Sequence, residues 1–344
     1  MILRSAPYTL ELKHAFGIAS NTRTSTPATL VEVEHEGIVG YGEAAMPPYL
    51  GESQATAAAF HAQAGALLAG ARDPFCLEEL VPAIDALAPG NAAAKAAVDL
   101  ALHDWIGKKL GAPWHRIWGL DARKAPVTSY TIGLDTPEIV RQKTREAAIY
   151  KIIKVKLGRG RDIDRMMIDT IRDVTDVPIT VDANQGWVDR EEALAMIEWL
   201  AGRNVDFIEQ PMPKGQAADT AWLKARSPLP LVADESCQRL ADVTRCAEAF
   251  HGINIKLMKC TGLREAQKMI VLARALGLKV MLGCMTETSC AISAGAQLSP
   301  LVDWADLDGA VLIRNDCFDG ATIVDGKITL NDRPGLGVVK RENA

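Results

Sequence analysis

The chain has 344 residues, 48% of them hydrophobic, which suffices for a large buried core and a second domain. Its net charge is −5 with the basic residues scattered, which argues against nucleic acid and anionic membranes as partners. No apolar run reaches the roughly 18 residues of a membrane span, no basic and apolar leader opens the chain, and the seven cysteines form no C-x-x-C pair. A cytoplasmic protein with reduced thiols is expected.

In chain order, residues 8–13, 28–34 and 38–43 read as strands. Apolar Leu30, Val31 and Val33 and a turn at Glu36-Gly37 predict an antiparallel meander. Residues 53–68 are Ala-rich behind an N-cap Ser53, Asp73-Pro74 opens a second helix with Pro at its first position, and residues 91–109 form a third, ended by Gly111 and Pro113. This predicts an N-terminal α+β domain over residues 1–124, with the linker near 120–126. From 125 to 310 apolar strands alternate with helical stretches at 137–148, 162–174, 190–201, 217–225, 241–249, 262–276 and 289–298. Eight strands with helices between them predict a (β/α)8-type barrel, with functional groups at the carboxyl ends of its strands. Residues 311–344 turn to short strands and tight turns around Asp325-Gly326, and are expected to pack back on the first domain.

The barrel strand ends carry the chemistry. Val181-Asp182, Ile208-Glu209 and Ala233-Asp234 each deliver one acid at the end of an apolar run, at the spacing of one strand plus one helix. These oxygen ligands suit a hard divalent cation, Mg2+ before Mn2+, and no H-e-x-x-H-type cluster competes for zinc. Lys154 and Lys156 share one face of the second barrel strand. Lys256 ends the sixth, which faces the second across an eight-stranded ring. Lys156 is the candidate general base, with Lys154 lowering its pKa by like-charge repulsion. Two lysines on opposite walls predict removal of an α-proton from one face of a carbon and its return to the other.

Asp306 and Asp308, two apart on the last strand, can grip a substrate ammonium together, or be a solvated acidic loop. Glu287 follows the seventh strand and either orients Lys256 or sits as an acid at a helix N-terminus. Lys259 reads as a loop anchor without chemistry, and His103 as a structural helix residue. Gly158-Arg159-Gly160 lacks the third glycine of a dinucleotide fingerprint, and no G-x-S-x-G elbow is present.

Lys154-Val155-Lys156, Asp182-Ala183-Asn184-Gln185-Gly186-Trp187, Glu209-Gln210-Pro211, Asp234-Glu235-Ser236 and Asn254-Ile255-Lys256-Leu257-Met258-Lys259 together resemble the muconate lactonizing enzyme subgroup of the enolase superfamily. The resemblance extends over the whole chain, from residues 94–98 to Pro334-Gly335-Leu336-Gly337. It implies a (β/α)7β barrel under an N-terminal α+β capping domain completed by the C-terminal segment, Mg2+ on Asp182, Glu209 and Asp234, and acid/base lysines at 156 and 256. Within the subgroup, Asp306-Leu307-Asp308 resembles the acid pair with which dipeptide epimerases hold a dipeptide's amino terminus. The implied substrate is a dipeptide of the L-Ala-Xaa type, such as L-Ala-D/L-Glu from peptidoglycan turnover. Cycloisomerases, o-succinylbenzoate synthases and N-succinylamino acid racemases share the scaffold but bind substrates without that ammonium. Specificity for the second residue is expected from cap loops at 17–26 and 46–52, where Arg23 either meets a Glu side chain or is a surface arginine. The family often assembles, so a homo-oligomer is possible.

Overall fold

A computed structural model describes residues 1–17, 22–46 and 50–342. The centres of both expected cap loops, residues 18–21 and 47–49, lie outside the described residues. The chain opens with an antiparallel sheet of β1 (Ile2–Gly17), β2 (Thr22–His35) and β3 (Ile38–Ala45), longer than the alternation predicts. Helix α1 (Gln54–Gly70) starts on a capping box: Ser53 Oγ accepts from Thr56 N at 3.2 Å, and Thr56 Oγ1 accepts from Ser53 N at 2.9 Å.

The second helix begins later than Asp73-Pro74 predicts: α2 spans Leu77–Asp85. Asp73 Oδ1 accepts from Phe75 N at 2.9 Å, so these residues form a local turn instead of a first helical turn. Helix α3 (Ala92–Leu110) ends at left-handed Gly111, is buried along most of its length and lies directly on β3. Gly42 is what permits that approach, since a Cβ there would sit 1.9 Å from Ala97 O. A short α4 (Trp114–Ile117) leads out of the domain.

The second body alternates β4 (Tyr130–Ile132), α5 (Pro137–Glu146), β5 (Ile153–Lys156), α6 (Arg161–Arg172), β6 (Ile179–Asp182), α7 (Arg190–Ala201), β7 (Val205–Glu209), α8 (Ala217–Lys224), β8 (Leu231–Ala233), α9 (Val243–Ala249), β9 (Gly252–Lys256), α10 (Leu263–Ala275), β10 (Lys279–Gly283), α11 (Ser289–Leu298) and β11 (Trp304–Asp306). The eight strands are parallel and paired in chain order. A parallel Thr128–Ala305 bridge brings the last strand back to the first. With seven intervening helices, the architecture is a (β/α)7β barrel. The strands are buried on both faces, apolar toward the helices and, toward the barrel interior, carrying the polar side chains of the site such as Lys154, Lys156, Asp182, Glu209, Asn254 and Lys256.

The tail forms two small antiparallel pairs, β12 (Phe318–Asp319) with β15 (Val339–Lys340), and the hairpin β13 (Thr322–Val324) with β14 (Lys327–Thr329). Asn315 Oδ1 accepts from Glu11 N at 2.9 Å and Lys340 pairs with Glu32 at 2.8 Å, so the tail touches β1 and β2. Among the described residues, no helix is long and apolar enough to cross a membrane.

Candidate active site

Parallel pairing in register brings the strand-end side chains to one level: Lys156 is paired with Asp182, Asp182 with Glu209, and Gly283 with both Lys256 and Asp306. Asp182 and Glu209 are the last residues of β6 and β7, and Asp234 follows β8. All three are buried, and each offers one carboxylate oxygen within 4.8 Å of the others.

The chain bends sharply just past these acids. Asn184 (φ 44°), Gln185 (φ 68°) and Gln210 (φ 37°) are left-handed although none is glycine, a strained state that tends to mark functional sites. The bends place polar groups against the acids. Asn184 N donates to Asp182 Oδ1 at 2.9 Å, Gln210 Oε1 accepts from Asp234 N at 3.0 Å and Ser236 N at 3.1 Å, and Asn254 Nδ2 donates to Glu209 Oε1 at 2.7 Å.

Four lysines offset the buried negative charge. Lys156 Nζ lies 2.6 Å from Asp182 Oδ2, and Lys256 Nζ lies 2.7 Å from Asp234 Oδ2. Lys154 Nζ sits between carboxylates, 2.6 Å from Glu209 Oε2, 2.8 Å from Asp306 Oδ2 and 3.4 Å from Asp182 Oδ2. Burial lowers the Lys154 pKa, but Asp306, Glu209 and Asp182 together hold it well above the ordinary lysine value. Lys154 is thus a fixed cation at the floor of the site. Lys259, expected to be a plain loop anchor, is fully enclosed. It donates to Asp234 Oδ1, Asp234 O (2.7 Å), Cys237 O (3.0 Å) and Asn254 O (3.1 Å), tying the ends of β8 and β9 together.

The acids divide by their surroundings. Burial raises the Asp234 carboxyl, yet Lys256, Lys259 and Lys154 hold it well below the ordinary range, and Asp182 is lowered by Lys156 and Lys154 against the same burial. Burial and the Asp182 charge push Glu209 up to about 7. Its Oε2, 2.6 Å from Lys154, is buried without hydrogen-bond geometry to any donor. An acid triad with an under-satisfied oxygen and no nitrogen or sulfur donor fits a hard divalent cation.

Asp306 and Asp308 stand at the other side of the cavity. Asp306 is engaged by Lys154, by Ser129 Oγ (2.7 Å) and by Thr131 Oγ1 (3.3 Å). Asp308 accepts from Thr131 N at 2.6 Å, and burial with the neighbouring Asp306 charge pushes it up to about 7. Glu287 is buried in the loop before α11, accepts from Met285 N at 2.9 Å, and is raised to about 8 by burial and then by Glu43. Glu43 itself comes from the N-terminal sheet. Its carboxylate accepts from Thr288 N (2.9 Å), the Thr288 hydroxyl and Ala291 N (3.3 Å) at the start of α11. Arg23, on β2, is half-buried over the Phe16 ring and donates to Thr286 Oγ1 at 3.2 Å.

These groups surround one solvent-connected cavity with about 530 Å3 of empty space, lined by Arg23, Lys154, Lys156, Lys256, Asp306 and Asp308 among others. The triad acids do not line it themselves but are held by three lysines that do, Glu209 by Lys154, Asp182 by Lys156 and Asp234 by Lys256, and Glu287 is likewise outside the lining. Asn184, Gln210, Asn254 and Glu43 are the participants that strand-end reasoning passes over. Asn254 has a readable signal, since it stands two residues before Lys256 on the same strand face, whereas Glu43 has none, because its partner is far along the chain.

Residues 138–344 match the family described as Enolase C-terminal domain-like, and residues 6–119 match the mandelate racemase / muconate lactonizing enzyme N-terminal domain. The chain belongs to the mandelate racemase / muconate lactonizing enzyme group of the enolase superfamily. It is 59% identical to the L-Ala-D/L-Glu epimerase of Bacteroides thetaiotaomicron, over 97% of this chain and 86% of that one. It is 31% identical to a hydrophobic dipeptide epimerase of Enterococcus faecalis, over 96% of each. Among solved structures, a substrate-liganded L-Ala-D/L-Glu epimerase from Bacillus subtilis superposes with a TM-score of 0.93 at 27% identity, covering 99% of this chain and 98% of that one. A dipeptide epimerase from E. faecalis, in complex with Mg and L-Leu-L-Tyr, gives a TM-score of 0.92 at 30% identity, covering 98% of each chain.

Proposed function

We propose that this chain is a divalent-metal-dependent dipeptide epimerase that inverts the Cα of the carboxyl-terminal residue of an L-Ala-Xaa dipeptide. Asp182, Glu209 and Asp234 would hold Mg2+, with Mn2+ as a substitute. When bound, the cation supplies positive charge beside the substrate carboxylate and makes the adjacent α-proton more acidic.

The chain's own residues do the rest. Lys156, as the free amine, takes the α-proton from one face, leaving the enediolate form of the substrate. Lys256, as the ammonium, gives a proton to the opposite face, and the reverse reaction exchanges the two roles. Lys154 stays charged and keeps Glu209, Asp182 and Asp306 in place. Asp308, with Asp306 behind it, accepts hydrogen bonds from the substrate ammonium, and Arg23 faces the side chain of the second residue. A glutamate there is the best charge match and agrees with the name of the 59% identical relative. Residues 1–124 and 311–344 form the cap and residues 125–310 the catalytic barrel, and the free thiols suit a cytoplasmic setting.

The observation that carries this reading is the placement of Lys156 and Lys256 on facing strands, each against a different acid of the triad, in a cavity that also holds Asp308. The test is incubation with Mg2+ and pooled L-Ala-L-Xaa dipeptides in D2O. A gain of one deuterium at Cα, accompanied by the epimer, supports it and names the second residue. Deuterium uptake without epimer would indicate a one-base reaction, and no exchange in the metal-loaded protein would turn attention to lyase and acylamino acid substrates.

A further inference from the structure

The two facing lysines are anchored differently. Lys156 stands in register with Asp182 on one side, and on the other the β4–β5 ladder reaches Val155, the residue before it. Lys256 stands in register with Gly283 of β10, but on its other side the β8–β9 ladder stops at Ala233 and Ile253, three residues before Lys256. What holds Lys256 on that side is the turn that follows it, residues 257–262.

That turn closes on Lys256 itself. Lys259 N and Cys260 N both donate to Lys256 O, at 2.9 and 3.1 Å, and Gly262 N donates to Leu257 O at 3.1 Å. Thr261 is left-handed at φ 64°, a costly state for a β-branched residue, and Gly262 follows at φ 115°. A backbone of this kind persists only where its surroundings impose it.

The imposing group comes from the cap. Asp99 on α3 is buried, and its Oδ2 accepts from Leu263 N at 2.6 Å, where α10 begins. It lies so close to the turn that a Cβ on Gly262 would sit 2.3 Å from the same oxygen. The cap touches this turn a second time, through Ala45 N on Met258 Sδ at 3.4 Å. Ion pairs from α2 reach the same end of the barrel, Asp85 with Arg239 at 3.1 Å and Glu78 with Lys268 at 3.3 Å, but they are open to solvent and of the kind that contributes little. Asp99 Oδ1 is buried without a hydrogen-bonding partner, a desolvation cost that packing alone does not call for.

We propose that Asp99 is a positioning residue for Lys256. Its carboxylate, delivered by the cap, fixes the 257–262 turn and with it the point from which Lys256 Nζ reaches the substrate Cα. Lys156, supported by its own sheet neighbours, does not depend on it. This rests on the two-lysine reading of the reaction. A reacting group misplaced by about 1 Å loses on the order of 100-fold in rate, and here the loss should fall on one of the two proton transfers.

The experiment measures initial rates of Cα deuteration in D2O with Mg2+, starting separately from each epimer of the dipeptide found by the pooled assay, L-Ala-L-Glu and L-Ala-D-Glu in the charge-matched case. Net epimerisation does not separate the lysines, because a fixed equilibrium constant makes both directions fall together. Exchange does, since each epimer gives its proton to one lysine. Lys256→Ala identifies the epimer that Lys256 serves. Asp99→Ala, folded by circular dichroism, should exchange that epimer about 10- to 100-fold more slowly and the other at close to the wild-type rate. If Asp99→Ala does not fold, Thr261→Gly takes its place: glycine accepts φ 64° without strain but leaves the turn free to adopt other conformations, and the same one-sided loss is expected. Equal losses on the two epimers would make the role of Asp99 purely structural, and full exchange on the Lys256 side would mean that the turn holds Lys256 without it; either result overturns the proposal. If Lys256→Ala itself slows both epimers alike, the two-base reading fails and the role of Asp99 falls with it.

Discussion

Lys156 and Lys256 stand on opposite walls of one cavity, and each ammonium lies on a different triad carboxylate, Asp182 at 2.6 Å and Asp234 at 2.7 Å. Two bases on two faces make a stereochemical prediction. Lys156→Ala and Lys256→Ala should each abolish net epimerisation, while each variant still exchanges the α-proton of one epimer with D2O through the lysine that remains. Mn2+ binding should persist in both. Epimerisation at a wild-type rate in either variant would sink the two-base mechanism.

Asp306 and Asp308 are not equivalent despite their shared motif. Asp306 is already saturated by Lys154, Ser129 and Thr131, whereas Asp308 accepts from Thr131 N at 2.6 Å and, at 4.0 Å, from the weak Cys284 thiol. Asp308 is therefore the acid with capacity for an incoming ammonium, and losing a charge-assisted contact there should cost about 2–3 kcal/mol. Asp308→Asn is expected to lower kcat/KM for a free-amino dipeptide by about 30- to 160-fold, mostly through KM, and to affect the N-acetylated dipeptide much less. An equal loss on both substrates would remove Asp308 from ammonium recognition.

Glu43 predicts a pH dependence of folding. Burial pushes its carboxyl from 4.5 up to about 7, with the hydrogen bonds from Thr288 and Ala291 working the other way. Between those values the folded chain holds a proton that the unfolded chain releases, so stability falls as pH rises through that window. Glu43→Gln stays neutral and should flatten the slope. In denaturant titrations from pH 5 to 8, the wild type should lose on the order of 2 kcal/mol relative to the variant. Parallel curves would assign the pH dependence to other groups.

The barrel and its acids are legible because two periodicities coincide. A strand of four or five apolar residues followed by a helix repeats down the chain, so Lys156, Asp182, Glu209, Asp234 and Lys256 fall on strand ends whatever the loops do. The ends of such elements are less readable. Asp73-Pro74 has the form of a helix start, but the Asp73 side chain closes a local turn first, and α2 begins at Leu77. Contacts between distant segments are not readable at all. Glu43 looks like the end of an edge strand, and only the folded chain brings it to Thr288. Lys259 looks like a loop cation, yet its four acceptors come from three different residues around β8 and β9.

The packing of the cap gives a prediction independent of chemistry. Because a Cβ on Gly42 would meet the Ala97 carbonyl at 1.9 Å, Gly42→Ala must push α3 away from β3. Backbone against backbone cannot be relieved by a rotamer change, and overpacking of this kind costs about 1–3 kcal/mol or more. Gly37→Ala is the control, since its Cβ would meet nothing within 4 Å but its φ is 73°, so it carries backbone strain without a clash. Denaturation midpoints should fall further for Gly42→Ala than for Gly37→Ala, and the reverse order would mean that α3 has room to move.

Metal removal should act on stability as well as on turnover. Glu209 keeps an oxygen without hydrogen-bond geometry, and Asp182 and Asp234 rely on the two lysines that the proposed mechanism also uses. A cation that binds only the folded chain adds stability by mass action, about 2.7 kcal/mol at a free concentration 100-fold above its dissociation constant. EDTA should therefore abolish epimerisation and lower Tm by a few degrees, and Mg2+ or Mn2+ should restore both. Once the site is saturated, Tm should keep rising with the logarithm of free Mg2+, at about 1.4 kcal/mol of stability per tenfold. Asp182→Asn should make Tm insensitive to Mg2+ over the same range. A metal-dependent Tm that survives Asp182→Asn would place the stabilising ion somewhere other than the triad.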